Sequence, residues 1–191
     1  MRFNDGTTMR LYRQTVQDFG LCADLELSDA RLEKLREAAG TMSAKMRAVR
    51  IVAATGVSEK DLEQRLIRKG ENPEQAKAAV RWMADLELID DRKTAEQIVQ
   101  RCIGKGYGLS RAKQSLYEKR IPKELWDDVL SDYPDQMDAI VSYLRAKIVD
   151  ARDSRQLRKA VDSLIRRGHS YSQIRRALEV LAVDTDDFPE D

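Results

Sequence analysis

Four groups of residues in this 191-residue chain are of types that can do chemistry. They are the adjacent carboxylates Asp90 and Asp91, the run Lys105-Gly106-Tyr107-Gly108, the single histidine His169, and the cysteines Cys22 and Cys102. Paired carboxylates can share a proton or hold a cation when their oxygens converge. Adjacent residues project in different directions, however, and a helix cap is the simpler reading of Asp90-Asp91. The glycine-rich run resembles part of a phosphate loop but lacks the Gly-Lys-Ser/Thr ending of a Walker A motif. Its glycines allow a tight turn between helices, which would display Lys105 and Tyr107 to a phosphate or a partner surface. His169 follows Gly168 with no carboxylate or hydroxyl at an informative spacing, and is expected to be an exposed turn histidine. Cys102 sits on an apolar stripe and is expected to be packed, and neither cysteine has metal-ligand spacing with the other or with His169. No nucleophile, base and oxyanion donor come together. The sequence therefore predicts no catalytic residue, no metal and no cofactor.

Cations are the remaining candidates. Arg101, Lys105, Arg111, Lys113, Lys119 and Arg120 form a stretch offset only by Glu118, and ten Lys/Arg lie between positions 145 and 176 against three Asp. Cations closing helices complement the macrodipole, which accounts for any single one. Collectively they make a local positive field. With Tyr107, the residues Arg101, Lys105, Arg111, Lys113, Lys119, Arg120, Arg166 and Arg167 are the candidate partner-binding set.

The elements that must position them carry a signature that occurs three times. A helical pattern closes on a basic residue and a turn at Lys69-Gly70, at Lys119-Arg120 and at Arg167-Gly168, about 50 residues apart, a spacing typical of helical repeats. Ser58 with Asp61, Asn72 with Pro73 and Gln75, Asp90 or Asp91, Ser154 and Ser170 read as helix starts. Gly40 reads as a stop after a helix from Ser28, with a new start at Ser43. Three three-helix units result, at 43–90, 91–133 and 134–183, and stacking would give an all-α, elongated and curved array. Residues 1–42 form a variable extension in which 7–20 are expected to include short extended segments. Residues 184–191 are acidic and expected to be disordered.

Composition agrees with exposed helices: 35% charged and 6% aromatic residues, with a net charge of +1. Near-neutral charge does not mark a nucleic-acid binder in bulk. The longest apolar run, 51–54, is too short for a membrane span, and no secretory signal opens the chain. A cytoplasmic protein with reduced thiols is expected.

The run Ser58-Glu59, Leu62, Leu66, Lys69-Gly70, followed by Leu88-Ile89-Asp90-Asp91 and Lys105-Gly106-Tyr107-Gly108, resembles the bacterial recombination regulator family RecX. The third copy, Leu164-Ile165-Arg166-Arg167-Gly168 with Ile174 and Leu178, is similar to that family's C-terminal repeat. The resemblance covers 45–183. Thr94 stands where an aromatic is common, Arg120 where a turn glycine is, and Leu109 where a proline is. The resemblance implies a monomeric, non-enzymatic regulator lying along the groove of a RecA recombinase filament on single-stranded DNA, depressing ATP hydrolysis and strand exchange. The alternative is a helical protein that binds DNA directly without recombinase.

Overall fold

The computed structural model describes residues 1–4, 6–149 and 153–181. The acidic segment 184–191 lies outside them, as do Asp150 and Arg152 of the basic stretch. Among the described residues the fold is all-α, and the chain divides into two compact units, Met1–Asp90 and Asp91–Asp191.

The first unit opens with an isolated antiparallel bridge between Arg2 and Thr8, followed by α1 (Arg13–Asp18), α2 (Asp29–Ala54), α3 (Glu59–Arg68) and α4 (Pro73–Asp85). The extended structure expected over 7–20 is thus replaced by a helix at 13–18. Tertiary context decides this: Thr15 is buried, Gln14 Nε2 donates to Asp18 Oδ1 at 2.8 Å one turn on, and Arg31 of α2 donates to the Phe19 carbonyl at 2.7 Å.

Helix α2 runs unbroken through Gly40, where a stop was expected. A Cβ on Gly40 would overlap the Gln75 side chain of α4, so this glycine admits a neighbour instead of ending a helix. Gln75 does not reach back to its own cap. Its Nε2 points at the Glu37 carbonyl of α2, at 3.5 Å. Ser43 likewise starts nothing, and its hydroxyl donates to Glu71 Oε1 at 3.0 Å. The other starts follow local hydrogen bonding. Ser58 Oγ accepts from Asp61 N at 3.1 Å, and Asn72 Oδ1 accepts from Glu74 N at 2.9 Å ahead of Pro73. Ala44 and Ala48 of α2 and Ala76 and Ala79 of α4 are buried around Leu62, Leu66 and Met83. Small residues on both helices let the backbones approach closely. Each fully buried Leu or Met contributes roughly 1.5–3 kcal/mol of transfer free energy.

The second unit contains α5 (Asp91–Gly104), α6 (Leu109–Glu118), a 3-10 turn (Lys123–Leu125), α7 (Trp126–Leu130), α8 (Met137–Lys147), α9 (Ser154–Arg166) and α10 (Tyr171–Val180). Its core has two clusters. Ala95, Val99, Cys102, Ala112, Leu116 and Ile121 form one, and Ile140, Leu144, Leu157, Leu164, Ile174 and Leu178 form the other. Helix α9 is capped by Asp153, one residue before the expected Ser154. The Asp153 carboxylate accepts from the backbone N–H groups of Arg155 and Gln156 at 2.9 and 3.2 Å. These bonds, Gln156 first, hold its carboxyl below the usual carboxylate range. Ser170 and Gln173 form a complete reciprocal cap on α10.

One closing device ends six of the described helices. In each, a residue with positive φ sends its N–H to the carbonyl three back, while the next residue bonds the carbonyl five back, as in the Schellman motif. The left-handed residues are Gly20 (+55°), Gly70 (+89°), Glu87 (+55°), Gly106 (+62°), Arg120 (+56°) and Gly168 (+85°). Arg120 adopts the turn glycine's conformation despite its Cβ, which carries a steric cost of about 1 kcal/mol. The residues that follow in the three signature copies, Glu71, Ile121 and His169, are all buried, at 8%, 4% and 4% exposure.

Candidate interaction surfaces

In the second unit the glycine-rich turn is held from several sides. Gly108 N donates to the Arg167 carbonyl at 2.9 Å, and the His169 ring meets the Gly106 carbonyl at 3.0 Å. Tyr133 Oη donates to the Tyr107 carbonyl at 2.6 Å, and burial pushes the Tyr133 hydroxyl up to about 12. A Cβ on Gly108 would run into the Gly168 carbonyl, and one on Gly168 into the Arg111 backbone. Glycine on both sides therefore brings the α5–α6 turn against the α9–α10 turn, closer than side chains would allow.

This joint corrects the expectation for His169, which is buried. Its partner carbonyl can only accept, so Nε2 carries a proton. Among the described residues Nδ1 is buried with no hydrogen-bond partner. Burial lowers the His169 pKa first of all, Arg167 lowers it further, and the Gly106 bond and Asp135 oppose the shift.

The sequence-predicted cations divide accordingly. Arg111 is half-buried at the joint and pairs with Glu118 at 3.4 Å. Arg167 is half-buried with its guanidinium over the Tyr143 ring, 4.5 Å from the centroid. Tyr107 is half-buried against the first cluster of this unit and is not displayed, with the Lys105 ammonium 5.9 Å from its ring centroid. Lys119 is half-buried and Arg120 is exposed. Arg101, Lys105, Lys113 and Arg166 are exposed. Cys102 is buried as expected. Trp126 is half-buried, with its indole N–H donating to the Ile121 carbonyl at 3.2 Å.

The first unit holds a site that the sequence reading missed. Arg47, Arg50, Ile51, Ala54 and Thr55 of α2 and its C-terminal flank face Arg65 and Lys69 at the end of α3 across an open cleft of about 400 Å³. Arg47 Nε pairs with Glu71 at 2.8 Å, and its Nη1 donates to the Lys69 carbonyl at 2.6 Å. Arg65 pairs with Asp61 at 2.9 Å and reaches Thr55 Oγ1 at 3.4 Å. Arg50 and Lys69 are exposed. The sequence did carry a signal: Arg47, Arg50 and Ala54 recur at helical spacing, as do Arg65 and Lys69. Which helix faces which was not in that pattern. Trp82, on α4, is half-buried, with the Lys45 ammonium 5.0 Å from its ring centroid.

Among the described residues no group of three His, Cys, Asp or Glu is placed to hold a metal ion, and no helix is long and apolar enough to cross a membrane. Fold and surfaces together define an all-α protein of short capped helices grouped around separate small cores, with cations concentrated at helix ends. No family model matches the chain. Regulatory protein RecX of Vibrio campbellii is 28% identical over 143 residues, covering 73% of this chain and 92% of that one. RecX of Halorhodospira halophila is 29% identical over 143 residues, covering 73% and 88%. RecX of Streptococcus gordonii is 25% identical over 190 residues, covering 97% and 74%. A crystal structure of regulatory protein RecX matches the fold with a TM-score of 0.70 at 18% identity, covering 93% of this chain and 91% of that one. RecX from Lactobacillus salivarius matches with a TM-score of 0.65 at 21% identity, covering 77% and 99%. In sequence the chain is similar to RecX regulatory proteins over most of its length, and its fold matches that of solved RecX structures.

Proposed function

We propose that this chain is a non-enzymatic regulator of the RecA recombinase, binding the filament that RecA forms on single-stranded DNA. It lies in the filament's helical groove and depresses ATP hydrolysis and strand exchange. The observation that carries this reading is the sequence agreement, over most of the chain, with relatives named as RecX regulatory proteins. Physical features support it. The helix clusters suit a division into contact units at 43–90, 91–133 and 134–183, each adding a modest contribution through effective concentration. Exposed cations such as Arg101, Lys105, Lys113 and Arg166 would steer encounter with a DNA-bearing filament. The same reading makes the chain a cytoplasmic monomer that needs no cofactor. Added to preformed RecA filaments with ATP, the purified protein should slow hydrolysis in a saturable way. Neither binding nor a change in rate, across a wide range of protein concentration, would falsify this reading.

A further inference from the structure

The cleft between α2 and α3 gathers four cations from two helices around a small floor of Ile51 and Ala54. Two carboxylates stand behind it, Asp61 and Glu71, each buried and already paired. Those pairs hold Arg65 and Arg47 in fixed positions, so little side-chain entropy remains to be lost when a ligand binds. Arg47 commits Nε and Nη1, leaving Nη2; Arg65 commits Nη2 and Nη1, leaving Nε. The Arg50 and Lys69 side chains have no hydrogen bond or ion pair among the described residues. The cleft thus has four cations against two carboxylates, with two of the cations uncommitted.

The ordinary account of cations here is attraction to helix C-terminal carbonyls. It explains Arg47, which bonds the Lys69 carbonyl. It does not account for Arg50 and Lys69 lining the same cleft as Arg47 and Arg65 with side chains that bond no carbonyl. Like charges brought together on one concave surface are stabilised by an anion.

We propose that this cleft is a binding site for the phosphodiester backbone of a single nucleic-acid strand. A duplex groove receives elements that protrude, such as a helix. A recessed cleft of this volume admits an unpaired strand, with sugar against Ile51 and Ala54 and phosphate against the cations. The lining contains no aromatic ring, so base stacking, the usual sequence-tolerant reinforcement of strand binding, is absent there. Binding is therefore electrostatic, indifferent to base identity and steeply weakened by salt. The site goes beyond recombinase regulation and is independent of it, because the strand is recognised directly.

The test uses the full chain without recombinase and follows the anisotropy of a fluorescein-labelled oligothymidylate. Arg50→Glu with Lys69→Glu should weaken binding by about tenfold or more at low salt. The slope of log affinity against log salt should become shallower by about 1.4, at about 0.7 per phosphate contact on a single strand. Both side chains are exposed, and helicity by circular dichroism should be unchanged. Lys60→Glu with Lys77→Glu makes the same change in net charge outside the cleft and should weaken binding by no more than about twofold, as for a rim charge. Equal losses in the two variants would show that overall charge alone is read, and the proposal would fail. It would fail equally if the cleft variant bound the strand like the parent. A matched duplex bound as tightly as the strand would overturn it, as would loss of polyglutamate binding with oligothymidylate binding intact, which would assign the cleft to an acidic protein.

Discussion

Residues in left-handed backbone close six of the described helices, and their surroundings differ in ways that matter more than their φ values. Gly70, at +89°, has nothing within 4 Å of an added Cβ, whereas Gly168, at +85°, is wedged against the backbone and Cβ of Arg111. Substituting Gly70→Ala meets only the intrinsic penalty, about 1 kcal/mol. Gly168→Ala meets that penalty plus a collision with backbone, together about 3 kcal/mol. Urea unfolding of the two variants should separate them by about 2 kcal/mol, and equal losses would show that the two turns do not touch. The sequence displays both glycines in the same motif. It cannot show that one is pressed by a residue 57 positions earlier, because the obstruction is a tertiary contact. Arg120 is the informative exception. The family resemblance marked it as standing in for a turn glycine, and its φ of +56° places it in the glycine conformation.

At the scale of elements, what was legible is what short-range hydrogen bonding decides. Ser58, Asn72-Pro73 and Ser170 open helices as their side chains dictate. What was not legible depends on a distant partner: Gly40 under Gln75, Ser43 on Glu71, and α1 held against α2. The joint between the α5–α6 and α9–α10 turns belongs to this second kind, and its chemistry gives a pH prediction. His169 donates from Nε2 to the Gly106 carbonyl and is buried with a lowered pKa, so the folded chain takes up a proton less readily than the unfolded chain, whose histidine has the ordinary value of 6.5. Its contribution is therefore fully present above that value and is lost as pH falls below it, toward the lowered folded value. Arg167 disfavours the protonated ring and Asp135 favours it, without reversing the sign. His169 is the sole histidine, and carboxylates titrate mostly below about 5. A decline in urea midpoint between roughly pH 7 and 5.5 should thus disappear in His169→Gln, whose amide can still donate to Gly106. A decline that persists in the variant would assign the effect elsewhere.

Over the whole molecule, positive and negative charge nearly cancel, at +1, so any electrostatic preference for a filament must arise locally. Local fields act over about a Debye length, roughly 8 Å at physiological ionic strength. Each cation therefore counts only if it is exposed and uncommitted. The sequence ranked Arg111 and Arg167 beside Arg101, Lys113 and Arg166 because spacing says nothing about commitment. In the structure Arg111 pairs with Glu118 and abuts Gly168, and Arg167 lies on Tyr143 while its carbonyl accepts from Gly108. Reversing either of those two charges would disturb the joint and confuse loss of fold with loss of contact. Arg101, Lys113 and Arg166 are exposed, and their side chains have no hydrogen bond or ion pair among the described residues. The triple variant Arg101→Glu, Lys113→Glu, Arg166→Glu should keep its helicity and unfolding midpoint within about 0.5 kcal/mol, as surface changes do. Its inhibition of RecA ATP hydrolysis should require roughly tenfold more protein at low salt, with the difference shrinking as salt rises, because long-range attraction and not a buried contact has been removed. Inhibition identical to that of the parent at every salt concentration would show that these side chains face solvent in the filament complex. The contacts would then have to come from the first unit, whose cleft variant could be measured in the same assay.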